Sequence, residues 1–150
     1  MEYDISQLER FRKAQQGGFF AGYEDALREV KGGRKQDHWI WYIFPQIKGL
    51  GNSDMAQFYG ISSIEEAQAY LADESLGGNL REITKVFLSL DETNPFRVFP
   101  GIDGVKVQSC MTLFLAAAQS DEDRALFSAV LDKYYGGNRC KKTVTLLGGA

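Results

Sequence analysis

The chain has 150 residues, 44% of them apolar and 25% charged, with a formal net charge of −3. That length suits one domain spanning residues 1–150, able to bury roughly two-thirds of its unfolded surface without disulfide or metal staples. The slightly acidic balance argues against a broad nucleic-acid-binding face. No apolar run approaches the ~18–20 residues of a membrane helix, and the polar start MEYDISQLERF lacks the form of a signal peptide. A cytoplasmic protein with no membrane partner is expected.

In chain order, the first element carries Ile5, Leu8 and Phe11 at helical spacing, with Asp4 as its cap. Tyr23, Ala26, Leu27 and Val30 then form a full i, i+3, i+4, i+7 stripe before Gly32 stops it. Asp37 and Pro45 bracket a run of large apolar residues, Trp39–Phe44, that reads as a short buried helix. The stretch NSDMAQFYG has the look of a helix start. Ser62 and Glu65 make a capping box ahead of Ile64, Ala67 and Leu71. Leu76, Leu80, Ile83, Phe87 and Leu90 keep helical spacing over four turns. Asp103 stands as the cap of a helix through Met111, Phe114, Leu115 and Ala118, and Ser120 with Asp123 opens one through Leu126, Ala129, Val130 and Tyr134. The tail Thr143–Leu147 suits a helical turn or a strand. Glycine pairs, among them Gly32-Gly33, Gly77-Gly78 and Gly136-Gly137, mark the joints. The expected fold is all-α, an array of six to seven short helices.

The two cysteines, Cys110 and Cys140, have no CxxC spacing, and the chain's one histidine is His38. A structural zinc site is not expected, and both thiols should be free. Cys110 belongs to an apolar helix and reads as core.

Asp37–Gly51, DHWIWYIFPQIKGLG, is the unusual segment. It holds both tryptophans, Trp39 and Trp41, with His38, and is followed by Gln46, Lys48, Gly49 and Gly51. Such a run of rings is first of all core material. On a helix, however, Trp39, Tyr42 and Ile43 share one face while His38, Trp41 and Pro45 lie on another. A wall of rings with polar groups after Pro45 also describes a ligand pocket, and an imidazole beside it is suited to acid–base work near neutral pH. A second polar group is Asp103, Lys106 and Ser109, three residues apart along one helical ridge. Set against the His38 segment, with Lys141 and Lys142 nearby, that ridge would complete one polar pocket for an anionic ligand.

The segments LERFRKAQ, HWIWYIFPQIKGLG, YGISSIEEAQAYL and IDGVKVQSCMTLF resemble, over nearly the whole chain, the domain of unknown function 1810 family. These are small bacterial and fungal proteins, some labelled calpastatin; nothing in this sequence supports a protease-inhibitor role. The resemblance implies an all-α fold and brings no established activity. The shared positions it marks include His38, Trp39, Trp41, Gln46, Gly49, Gly51, Asp103, Lys106, Ser109 and Thr112. This chain departs from the family pattern at Asp37, where a serine is usual, and at Cys140, where an aspartate is usual.

Two functions compete. The first is binding, with or without hydrolysis, of a small polar or nucleotide-like ligand. It gives catalytic roles to His38, Asp103, Lys106 and Ser109, and ligand contacts to Trp39, Trp41, Gln46, Lys48, Gly49, Gly51 and Thr112, with no metal and no cofactor. The second is a non-catalytic interaction module, which requires Trp39 or Trp41 to stand exposed on a flat patch.

Overall fold

The computed structural model describes residues 4–18 and 20–148, so residues 1–3 of the polar start fall outside the described part. Asp4 accepts the Ser6 N–H at 3.0 Å and opens a 3-10 turn, Ile5–Leu8, that runs into α1 (Glu9–Gln15). Then follow α2 (Tyr23–Lys31), α3 (Ile40–Ile43), α4 (Asp54–Tyr59), α5 (Ile64–Ala72), α6 (Glu74–Ser89), α7 (Pro95–Val98), α8 (Asp103–Ala117), α9 (Asp121–Tyr135) and α10 (Lys141–Leu146). The described residues are therefore all-helical, as expected, but with ten α-helices where six or seven were expected. No helix among them is long and apolar enough to cross a membrane.

Local chemistry accounts for both the agreements and the departures. The α2 stripe of Tyr23, Ala26, Leu27 and Val30 is buried as its spacing predicts. Ser120 Oγ accepts the Asp123 N–H at 3.1 Å and caps α9. The expected capping box at Ser62 and Glu65 lies one residue later: Ser63 Oγ caps the Glu66 N–H, and Glu66 reaches back to the Ser62 N–H at 2.8 Å. Gly77-Gly78 is no joint, because Asp73 caps a helix that runs straight through both. A Cβ at Gly77 would lie 2.2 Å from the Leu71 carbonyl oxygen, so glycine lets α6 start against the end of α5. Extra helices come from α7, where Asn94 caps and Pro95 fills the first position, and from α10, which settles the tail as helical.

The aromatic segment forms a single turn. Asp37 does not cap it; Glu29 Oε1 collects the Gln36 and Asp37 N–H groups and the Trp39 indole N–H, at 2.6, 3.0 and 2.9 Å. Trp39 has φ −148° and ψ 2°, outside the helical region, so the helix begins only at Ile40.

One buried cluster gathers side chains from the 3-10 turn and most of the helices. α8 is its centre, packed against α5, α7, α9 and α10, which is why nearly all of its faces are buried. Rings link the aromatic segment to the far side: Trp39 meets Phe99 edge-on, Phe99 meets Phe87, and Phe87 stacks on Tyr134 at 4.0 Å. Two features fix the chain beyond Pro45. Ile61 N–H donates to the Gln46 carbonyl and Lys48 N–H to the Ile61 carbonyl, both at 2.8 Å, forming a one-residue parallel bridge. Arg10, paired with the buried Glu66, donates to the Phe58 and Gly60 carbonyls and so ties α1 to the chain after α4.

Candidate functional site

These constraints leave a cleft of about 510 Å³. One wall is the chain from Trp41 to Ser53, including Gln46, Ile47, Leu50 and Gly51; a second is Ala56, Tyr59 and Gly60; the third is Ile102, just before α8, with Val105, Lys106 and Ser109 of that helix, completed by Cys140 and Lys142. The polar end of the aromatic segment and the ridge of α8 thus meet across one concavity, and Lys142 adds a second cation.

A chain of charges and rings holds Lys106 in place. Its ammonium lies 5.4 Å from the centre of the Trp41 ring and 3.5 Å from Asp103. The other Asp103 oxygen takes Lys35 at 2.8 Å, and Lys35, nearly buried, lies over the Trp39 ring at 5.2 Å. Trp39 therefore serves the cleft from behind. Asp103 is the first residue of α8, capped by no side chain of its own, and not the N-cap that its sequence position predicted. Its carboxylate is engaged by two ammonium groups, an arrangement suited to positioning Lys106.

Ser109 and Cys140 form the deep end. Ser109 Oγ lies 3.2 Å from both the Val105 carbonyl and Cys140 Sγ. Thr112 Oγ1 donates to the Gln108 carbonyl and accepts the Cys140 N–H at 2.9 Å, which anchors the start of α10 to α8. Burial pushes the Cys140 thiol pKa up, but the Ser109 and Thr143 hydroxyls and the Thr143 and Lys142 N–H groups outweigh it, leaving the thiol more acidic than usual. Cys110, by contrast, is fully buried, and burial alone raises its pKa well above the ordinary range.

The remaining expected site residues are placed elsewhere. His38 is exposed and lines a separate shallow depression with Asp25, Asp37 and Ala21. A helix from residue 38 would have put it on Trp41's face, and the late start at Ile40 breaks that phase. Trp39 is wholly buried and cannot touch a ligand. Lys48 and Gly49 are exposed and do not line the cleft; the Lys48 N–H is taken by Ile61. Thr112 lies behind Cys140 and likewise does not line it. Gly51 does line it, and a Cβ there would lie 2.8 Å from Ala56 Cβ. Tyr59 and Leu50 joined the site through tertiary packing that no local pattern announces, whereas of the expected pair Lys141 and Lys142 only Lys142 lines it. Cys140 stood out in the sequence only as a departure from a family pattern.

The cleft offers rings (Trp41, Tyr59), two cations (Lys106, Lys142), and an amide and a hydroxyl (Gln46, Ser109). Rings can stack on a planar group, and ammonium groups can pair with an anion. Among the described residues no group of three or more His, Cys, Asp or Glu side chains is placed to hold a metal ion.

A family model described as protein of unknown function DUF1810 matches residues 5–147. Among solved structures, the chain is similar to the conserved hypothetical protein Rv1873 from Mycobacterium tuberculosis. The two are 41% identical, with a TM-score of 0.88, over 98% of this chain and 100% of that one. No curated protein matches.

Proposed function

The chain belongs to the DUF1810 family of proteins of unknown function, and from its own residues we propose that it binds a small anionic, nucleotide-like ligand in the cleft between Trp41–Gly51 and α8. The observation that carries this reading is the convergence of Trp41, Gln46, Lys106, Ser109 and Lys142 on one cavity of about 510 Å³, a size that suits such ligands. Lys106 is aimed by Asp103 and seated against Trp41, so it is positioned before any ligand arrives. Binding is favoured over hydrolysis because the two strongest acid–base candidates are elsewhere engaged: His38 faces another depression and Asp103 is held by two lysines. The interaction-module reading has less support, since Trp39 is buried and Trp41 sits in a concave wall. Two free thiols suit a reducing compartment such as the cytoplasm.

The test is a thermal-shift series with AMP, NAD and ADP-ribose against ribose and phosphate alone. A ligand at about 100 times its Kd adds about 2.7 kcal/mol, which raises the Tm of a domain this size by roughly 5–11 °C. The nucleotides should stabilise the wild type and not Lys106→Ala. A flat response to all of them at millimolar concentration would refute the reading.

A further inference from the structure

The deep end of the cleft has features that ligand binding alone does not require. Cys140 is partly exposed to the cavity, at the foot of α10, and is not sealed in the core as Cys110 is. Two hydroxyls are placed near its sulfur: that of Ser109, at 3.2 Å, and that of Thr143. Ser109 is almost fully buried, and its one proton has two acceptors at equal distance, the Val105 carbonyl and the Cys140 sulfur, both at 3.2 Å. Turned to Val105, the hydroxyl can accept from a thiol; turned to Cys140, it donates to a thiolate. The second hydroxyl is a different case. Thr143 Oγ1 is completely buried beside this sulfur and has no hydrogen-bond partner of normal geometry. A buried hydroxyl without a partner destabilises the fold, and a negatively charged sulfur within its reach would satisfy it. The mouth of the same cavity carries Lys106 and Lys142.

We propose that Cys140 is a reactive thiolate that exchanges with low-molecular-weight disulfides bearing carboxylates, drawn into the cleft by Lys106 and Lys142. In the step, the Cys140 sulfur attacks one sulfur of the disulfide and a Cys140 S–S bond forms. The original S–S bond breaks, and the departing thiolate takes a proton from water. The hydroxyls of Ser109 and Thr143 keep the attacking sulfur ionised, and the lysines hold the carboxylates of the incoming molecule. The product is a mixed disulfide that occupies the cleft and so closes it to a nucleotide. Cys110 has no such surroundings and stays reduced. This site shares the cavity with the ligand proposed above but does not depend on it: nucleotide binding with an inert Cys140 would refute the present inference and leave the earlier one standing.

The experiment measures thiol reactivity on the full chain with two probes. With iodoacetamide, the rate is followed against pH. The folded wild type should show one fast thiol and one silent thiol, the fast one absent in Cys140→Ser, and a midpoint below the ~8.5 of an ordinary free cysteine. Ser109→Ala should raise that midpoint, each unit lowering the rate at neutral pH nearly tenfold. The second comparison sets the dianionic disulfide dithiobis(nitrobenzoate) against the dicationic cystamine. Relative to the same ratio for the urea-unfolded chain, the folded protein should favour the anion several-fold, and Lys106→Ala and Lys142→Ala should each reduce that preference. Thermal melts of each variant separate a changed thiol from a changed fold. A Cys140 that reacts no faster than the unfolded chain, a midpoint at or above 8.5, or a preference for cystamine would overturn the proposal.

Discussion

The same substitution at the two motif tryptophans should have very different consequences. Trp39→Phe removes an indole N–H that donates to Glu29 at 2.9 Å and trims a ring that is completely buried between Phe44 and Phe99. A hydrogen bond to a charged group is worth about 1.5–3 kcal/mol. Glu29 keeps its two backbone donors from Gln36 and Asp37, so the lower end applies. The missing ring adds a cavity term of about 1–2 kcal/mol. The sum, about 3 kcal/mol, corresponds to a fall in Tm of roughly 6–12 °C. Trp41→Phe alters a half-buried cleft wall and weakens only the contact with Lys106, at about 0.5–1 kcal/mol, a fall of at most about 4 °C. Urea and thermal denaturation of both variants make the comparison. Equal losses, or a larger one for Trp41, would refute the division of the segment into a buried half and a site half.

Other consequences follow from particular neighbours. Gly77→Ala forces a Cβ against the Leu71 carbonyl and should cost about 1–3 kcal/mol, whereas Gly78→Ala meets nothing within 4 Å and should stabilise α6 by about 0.5–1 kcal/mol; opposite signs in urea melts check the pair. Arg81, through two hydrogen bonds of 2.8 and 2.9 Å, holds the Asp123 carboxyl below its ordinary pKa. A depressed carboxylate stabilises the fold fully above its unfolded pKa, about 3.9, and loses that contribution as pH falls through the folded value. Asp123→Asn should therefore flatten the acid limb of a stability–pH curve, and an unchanged limb would count against the pair. Glu66→Ala strands Arg10, which is mostly buried, and should cost about 3–5 kcal/mol; because Arg10 also holds the Phe58 and Gly60 carbonyls, hydrogen exchange should rise at residues 58–61 before the fold is lost.

Much of this architecture was legible from spacing. The stripes of α2 and α6 have one face that must be buried, and burial followed the periodicity; in α9 Val130 and Tyr134 are buried as expected, but Phe127 and Leu131 complete the face in place of Leu126 and Ala129. Some caps were legible to within one residue, as Ser62 against Ser63 illustrates. What escaped were features decided by distant partners. Asp37 has the chemistry of a cap, but Glu29 of the preceding helix takes its N–H, and that one carboxylate delays α3 and turns His38 away from the cleft. Asp103 has the same chemistry and is instead engaged by Lys35. Gly77 looks like a hinge in sequence and is a close contact in space. The ridge of Lys106 and Ser109 was readable, being a matter of helical phase alone; Cys140 was not, since α10 reaches Ser109 and Thr112 only through packing.

The direct test of the cleft as a ligand site uses Trp41 as its own reporter. In Trp39→Phe the remaining tryptophan lies on the cleft wall, so its fluorescence can be titrated with AMP, NAD and ADP-ribose. A saturable change that disappears on adding Lys106→Ala is the predicted result. A spectrum unmoved by every nucleotide at millimolar concentration, in a variant that remains folded, would contradict the account.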